Sequence, residues 1–330
     1  TLEGIYTNNI NGVMLQNYNL RQPDDTWERF SGSDNRYIYP ADSVIEYTSR
    51  DAYVLANNSD GWGAIGNITV IAEPVKDLSI MAAFTYTESK EISGMPGSAA
   101  YSAYNGAIQV NGPHIPSVQR SQYVVPTKAI ASVSYKIPWN TGKLQSATYI
   151  NMFYAGYSSG GYSFTYTNDM NGDGFATDLI YIPSGKGDIN FVSTEDEDAF
   201  FAFVEQDNYL SKHMGEYAEA YAARAPWVHQ FDLRLTREYY FNIGGTPRAL
   251  QFTLDFLNFG NMINNEWGIS KNMFNSNNGQ ILTYEGVDGS NVPSFSMVTD
   301  GDGNYLNETY STYYAYTQCW QLMLGARFSF

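Results

Sequence analysis

The sequence predicts an all-β chain: a sector of an antiparallel transmembrane β-barrel, with about eight strands and with long extracellular loops that contain short helices. Three observations predict it. Apolar and polar residues alternate with period two in one segment after another. The connections between those segments alternate between short and long. The composition is aromatic and poor in charge: 28 Tyr, 18 Phe and 6 Trp, with charged residues at 16% of 330, where soluble domains carry roughly 25%.

The strand-like segments follow in order. Residues 2–16 and 64–72 are the first two, and their alternation is less regular. In residues 78–87, Leu78, Ile80, Ala82, Phe84 and Tyr86 oppose Ser79, Met81, Ala83, Thr85 and Thr87. In residues 128–137, Ala129, Ala131, Val133, Tyr135 and Ile137 oppose Ile130, Ser132, Ser134 and Lys136. Residues 144–157 are again less regular. Around residues 227–241, Phe231, Leu233 and Leu235 oppose Gln230, Asp232, Arg234 and Thr236. In residues 248–256, Leu250, Phe252, Leu254 and Phe256 oppose Gln251, Thr253 and Asp255. The last segment, 319–330, is the clearest. Trp320, Leu322, Leu324, Ala326, Phe328 and Phe330 form one set, and Gln321, Met323, Gly325, Arg327 and Ser329 the other. Successive side chains of a strand point to opposite faces. This phase therefore keeps Arg327 off a lipid face, where it would cost up to about 2–4 kcal/mol near the midplane.

Residues 73–77, 139–143 and 242–246 carry the Pro, Gly and Asn of tight turns. Residues 20–61, 88–124, 158–225 and 260–317 are long connections. Tight turns at one end and long loops at the other form the outer-membrane arrangement. The third loop holds two predicted helices. One starts at a capping box, Thr194-Glu-Asp-Glu197, and continues through Asp198–Glu205. The other covers residues 208–224. No apolar run reaches the roughly 18 residues of a membrane helix. Cys319 is the single cysteine, so no disulfide forms within the chain. A net charge of −16 argues against nucleic acid. No signal peptide opens the chain, and a fragment or processed product is expected.

The sharpest chemical constellation is Asp169-x-Asn171-x-Asp173-Gly174-x-x-x-Asp178. Oxygen-bearing side chains at alternate positions, with Gly at the sharp turn, suit a hard cation such as Ca²⁺. Asp169, Asn171, Asp173 and Asp178 are the expected side-chain ligands, with a carbonyl near Phe175. Asp300-Gly-Asp-Gly-Asn304 is a shorter version. His114, His213 and His229 share no motif with a nucleophile, and Glu195 and Asp198 sit in a helix start, so no enzyme is expected. Trp227, Tyr239, Tyr240 and Trp320 read as interfacial aromatics. Tyr157 and Tyr162 are candidates for substrate contact, and so are Asp232, Arg234, Gln251 and Asp255 on the polar parity.

The terminal Leu-Gly-Ala-Arg-Phe-Ser-Phe330 resembles the C-terminal recognition signal of outer-membrane barrels, with Gly325, Phe328 and Phe330 in the usual places. Residues 250–261, followed by Trp267-Gly268, resemble the penultimate strand of TonB-dependent outer-membrane receptors of the Bacteroidetes type. The run Asp169-Met-Asn-Gly-Asp-Gly174, continuing to Pro183, and the run 225–232 are similar to Oar-like members. The resemblance implies a bacterial outer-membrane location and a barrel of about 22 strands enclosing a plug. It also implies import driven by periplasmic TonB. The plug and the TonB box are not found in this sequence. The eight strands would be the last eight of such a barrel, completed by an upstream segment or a separate chain. Outer-membrane lipid is the expected surrounding, and a surface lipoprotein is a further candidate partner. The rival readings are eight strands closing alone, a structural or adhesive barrel that displays loops, and a secreted all-β enzyme acting on glycans.

Overall fold

The computed structural model describes residues 1–46, 51–141, 144–273 and 279–330. Its frame is one antiparallel sheet. The strands are β1 (Leu2–Asn8), β2 (Gly61–Val75), β3 (Leu78–Glu91), β4 (Thr127–Thr141), β5 (Leu144–Ser158), β6 (Trp227–Ile243), β7 (Thr246–Leu257) and β8 (Gln321–Ser329). They lie side by side in chain order, and the two-residue strand Gln119–Arg120 adds to β3. The segment 2–16 is therefore not one strand. It breaks at Asn11, whose φ of 58° is left-handed, and its second half, Gly12–Asn17, pairs with Tyr53–Asn58 outside the main sheet.

Tight turns join the strands at one end. Lys76-Asp77 closes β2 on β3, with Asp77 at φ 63°. Gly244-Gly245 closes β6 on β7 at φ 60° and 84°, the paired left-handed conformations that a two-residue hairpin turn needs. For the turn expected at 139–143, β4 runs on to Thr141, and Gly142 and Lys143 lie outside the described residues.

The register brings like residues together across strands. One row reads Leu322, Phe256, Leu233, Met152, Val133, Ile80, Ala72 from β8 to β2. The next reads Leu324, Leu254, Leu235, Ile150, Tyr135, Leu78. A one-residue slip in any strand would turn its apolar set to the other face. This apolar face is bare: Leu324 is 81% exposed, Val70 58% and Phe252 46%. The opposite face is mixed. It carries Asn67, Thr85, Asn151, Asp232, Arg234, Glu238 and Asp255 together with Ile65, Ile71 and Phe153. Tyr240 belongs to it as well: its hydroxyl bonds Tyr149 at 2.9 Å and donates to Glu238 at 2.7 Å. Tyr240 thus departs from the interfacial reading, whereas Trp227 and Tyr239 share the apolar parity. Among the described residues, β1 pairs only with β2 and β8 only with β7, so both outer edges keep their backbone groups unpaired.

The buried core lies beyond the sheet, in a cap built by all four long connections. Phe30, Ile108, Phe164, Tyr166, Leu179, Ile180, Phe200, Phe203, Ile281 and Phe295 meet there. Helix α1 (Ala100–Asn105) lies in the second connection. Helix α2 (Thr194–Gln206) lies in the third and buries Phe200, Phe203 and Val204, spaced as one helical face requires. Its cap is Ser193, whose hydroxyl accepts from the Asp196 amide at 3.0 Å, one position before the expected box. Asp198 of the expected pair binds Lys186, and Glu197 accepts from the Gly187 amide, so these two anchor a loop to the helix start. Residues 208–224 do not form the expected helix; only a single turn, Leu210–Lys212, does. Asp207 draws in the amides of Tyr209 and Leu210. Glu216–Tyr217 then pairs with Tyr181–Ile182, and Tyr221 stands at φ 55°. Pairing to the cap strands supersedes helix propensity. No described helix is long and apolar enough to cross a membrane.

Candidate functional site

Two places gather the residues singled out by sequence: a loop in the cap and the mixed face of the sheet. In the loop, the carboxylates and the amide fold the backbone onto themselves. Asp169 accepts from the amides of Gly172 (2.8 Å) and Gly174 (2.7 Å). Asn171 accepts from the Asp173 amide at 2.9 Å, and Asp173 from the Phe175 amide at 2.8 Å. Gly172 and Gly174 stand at φ 83° and 93°, which L side chains rarely adopt. Gly112 packs so closely that a Cβ there would lie 1.9 Å from an Asp173 oxygen.

Asp178 is buried at 1% exposure. It accepts from the Met170 amide at 3.0 Å and from the Asn171 side-chain amide at 2.8 Å. The Arg36 guanidinium lies 3.9 Å away. Burial pushes the Asp178 carboxyl up to about 7, although Arg36 and the Met170 amide pull it down. Among the described residues, no group of three or more His, Cys, Asp or Glu side chains is placed to hold a metal ion. The expected ligand oxygens close the loop by accepting its amides, and Asp178 faces a guanidinium. The Asp300 loop is built alike, with Asp300 accepting from the amides of Asp302 and Asn304 at 2.9 Å each.

Arg36, absent from the sequence-derived set, organises the cap. Its side chain and that of Asp34 are wholly buried and paired at 2.9 Å. It also donates to the carbonyls of Val110 (3.2 Å) and Leu179 (2.7 Å), so one guanidinium ties three of the four connections. Burial disfavours its charge, but Asp34, Tyr166 and Asp178 together outweigh that and hold it protonated. Tyr166 and Tyr217 donate to Asp34 at 3.0 Å each. In the sequence this stretch is a polar Ser/Asp/Asn run, and nothing in it signals burial.

On the mixed face, Arg234 and Asp255 pair across strands, with a 2.9 Å contact to Oδ2. Asp232 accepts from the Asn258 amide at 2.7 Å. These three line a cleft of about 270 Å³ with Asn151 and Phe153. Gln251 stands between Glu238 and Arg327. Tyr157 ends β5 on the same face, opposite Val228. Tyr162 lies apart, in the cap, 6.0 Å from Tyr310. The six candidate contacts therefore do not converge on one pocket. In β8, a Cβ on Gly325 would come within 2.4 Å of the Thr253 hydroxyl, and Phe328 stacks on Phe241 and Phe330. His213 binds the Tyr209 carbonyl, and Arg224 binds that of Val124.

Comparison with known proteins gives no match to a family model, to a curated protein or to a solved structure.

Proposed function

We propose that this chain is the barrel component of a TonB-dependent importer in a bacterial outer membrane, with its apolar sheet face toward lipid. The observation that carries this reading is the register: rows of apolar residues run across the sheet and remain exposed. Contiguous apolar patches of that extent mark an interaction with membrane or protein. A hydrocarbon surrounding also demands paired edges, because each unsatisfied backbone group there costs several kcal/mol. The free edges of β1 and β8 fit a sheet completed by further strands. A plug within those strands and periplasmic TonB would complete the machine. In this reading the tight turns are periplasmic, the cap is extracellular, and the mixed face lines the lumen.

Replacing Phe252 with Asp in the intact natural protein tests the membrane assignment. It is expected to block outer-membrane assembly, and a water-soluble folded product would overturn the reading. A display barrel is the second reading, and the core shared by the four connections favours it, because a rigid cap suits presentation. Capture by the periplasmic domain of TonB separates the two: an importer is retained and a display barrel is not. Calcium at Asp169, Asn171, Asp173 and the Phe175 carbonyl is part of the proposal, with Asp178 left to Arg36. Calcium should raise the melting temperature of the cap, and Asp173→Asn should remove that rise; an unchanged melting temperature counts against a metal.

A further inference from the structure

Of the charges on the apolar parity, Glu88 and Lys90 are ion-paired toward the cap and Arg248 stands beside the β6–β7 turn, whereas Arg237 adjoins the apolar rows. Arg237 continues the parity of Phe231, Leu233 and Leu235, and it lies opposite Phe252 on one side and Thr148 on the other. It is partly buried there, and none of the ion pairs among the described residues includes it. Its Nη1 donates to the Thr148 hydroxyl and its Nη2 to the Ser146 hydroxyl, at 2.8 Å each. Trp139 and Tyr239 flank it, their ring centres 5.5 and 5.1 Å from the guanidinium carbon. Trp139 also donates to the Thr148 hydroxyl at 3.0 Å, which fixes the indole beside the charge.

A guanidinium has five N–H groups in a rigid fork. The two hydroxyls take one from each Nη, and the Nε–H with the second N–H of each Nη remains. The fork is thus held in place by neutral oxygens while its charge stays uncompensated. Along β6, Trp227 and Arg237 are ten residues apart on the same face. At about 3.4 Å per residue and a tilt of about 40°, that is roughly 26 Å along the membrane normal. The apolar band of an outer-membrane barrel is about 25 Å tall with aromatic girdles at both borders. On this measure Trp227 and Arg237 stand at the two borders, with Trp139 and Tyr239 flanking Arg237 one row nearer the turns.

We propose that Arg237, framed by Ser146, Thr148, Trp139 and Tyr239, is a binding site for the phosphate of a membrane phospholipid on the turn side. A tetrahedral phosphate monoanion offers acceptors in the geometry of the remaining N–H groups and supplies the missing charge. The two rings pack along the headgroup–acyl border. The inference rests on the membrane reading, and its test separates the two.

The intact protein is reconstituted in nanodiscs of phosphatidylglycerol and stripped by mild detergent, and bound lipid is counted by native mass spectrometry. Insertion is followed in parallel by protease protection. Wild type should retain one phosphatidylglycerol more than Arg237→Gln, with retention about tenfold weaker in the variant, and Arg237→Lys should keep most of it. In wild type alone, a neutral glycolipid with the same chains should not replace the retained phosphatidylglycerol, so the test survives a variant that fails to fold. Equal retention in inserted proteins, or replacement by the glycolipid, overturns the phosphate site and leaves the membrane reading intact. Failure of wild type to insert overturns both.

Discussion

Arg36→Met removes the group that ties three connections, and its consequence can be worked through. Four acceptors lose a donor: Asp34, the carbonyls of Val110 and Leu179, and, by charge alone, Asp178. Asp34 keeps the hydroxyls of Tyr166 and Tyr217, so it is not stripped bare. Its negative charge nonetheless stays in a site with no exposed side-chain surface. Breaking a buried pair by removing one partner costs about 3–5 kcal/mol. At about 1.4 kcal/mol per factor of ten, opening of the cap becomes between about a hundredfold and a few thousandfold more frequent. Amide hydrogen exchange reads this locally. The amides of Leu179 and Ile180, bonded to Gln109 and Phe164 carbonyls, should exchange faster by that factor, while the β6 amides bonded to β5 and β7 stay as slow as in wild type. Unchanged exchange at Leu179 and Ile180 would refute the staple. Equal acceleration in β6 would refute the independence of cap and sheet.

Three further outcomes are expected. The Asp178 carboxyl, raised to about 7 chiefly by burial, binds its proton more tightly folded than unfolded, where it titrates near the usual value of about 3.9. Its contribution to cap stability is therefore fully present below about pH 4 and lost as pH rises through about 7; subtracting the melting curve of Asp178→Asn from wild type at pH 5 and pH 8 should show that slope, and parallel curves would deny it. Gly325→Ala drives a methyl toward the Thr253 hydroxyl, at a cost of about 1–3 kcal/mol for overpacking; urea titration in vesicles should show the loss, and adding Thr253→Ala should restore most of it. Asp255→Asn breaks a pair whose arginine side chain is 58% exposed, so it should cost no more than about 1 kcal/mol, and a larger loss in the same titration would mean that the cleft is drier than the structure indicates.

Five of the eight strands are plain in the residues because each must present one set of side chains to each face, and period two survives any loop length; the other three blur where Ile65, Ile71 and Phe153 sit on the mixed face and where Asn11 breaks the first segment. Gly325 and Phe328 stand out only through the resemblance of the terminal strand; Gly325 answers to Thr253 of β7, and Phe328 stacks on Phe241 of β6. The segments that mislead are those whose partners lie far along the chain. Residues 208–224 carry helix formers such as Ala218, Glu219 and Ala220, but their backbone is claimed by Ile180, Ile182 and Tyr162 from another part of the third connection. Arg36 and Asp34 look like a solvated turn, since burial comes from four connections folding together and leaves no periodic mark. The oxygens of the Asp169 loop stand where the pattern puts them, and each also caps a backbone amide or an amide side chain in the same loop, which spacing alone does not reveal. Arg237 is the opposite case: its parity is plain in the sequence, and only the register shows that Ser146 and Thr148 await it across β5.

In the proposed importer one face of the sheet meets lipid and the other does not, and adjacent residues of β5 distinguish the two. Ile150 lies in the row from Leu324 to Leu78, and Asn151 points to the opposite face beside Arg234. Asp at either position adds the same charge at the same depth. Folding of the intact protein into phosphatidylcholine vesicles, followed by urea titration, should show Ile150→Asp destabilised by about 2–4 kcal/mol or unable to insert, and Asn151→Asp within about 1 kcal/mol of wild type. Equal stability of the two variants, or a soluble folded monomer from Ile150→Asp, would mean that the apolar face does not meet lipid.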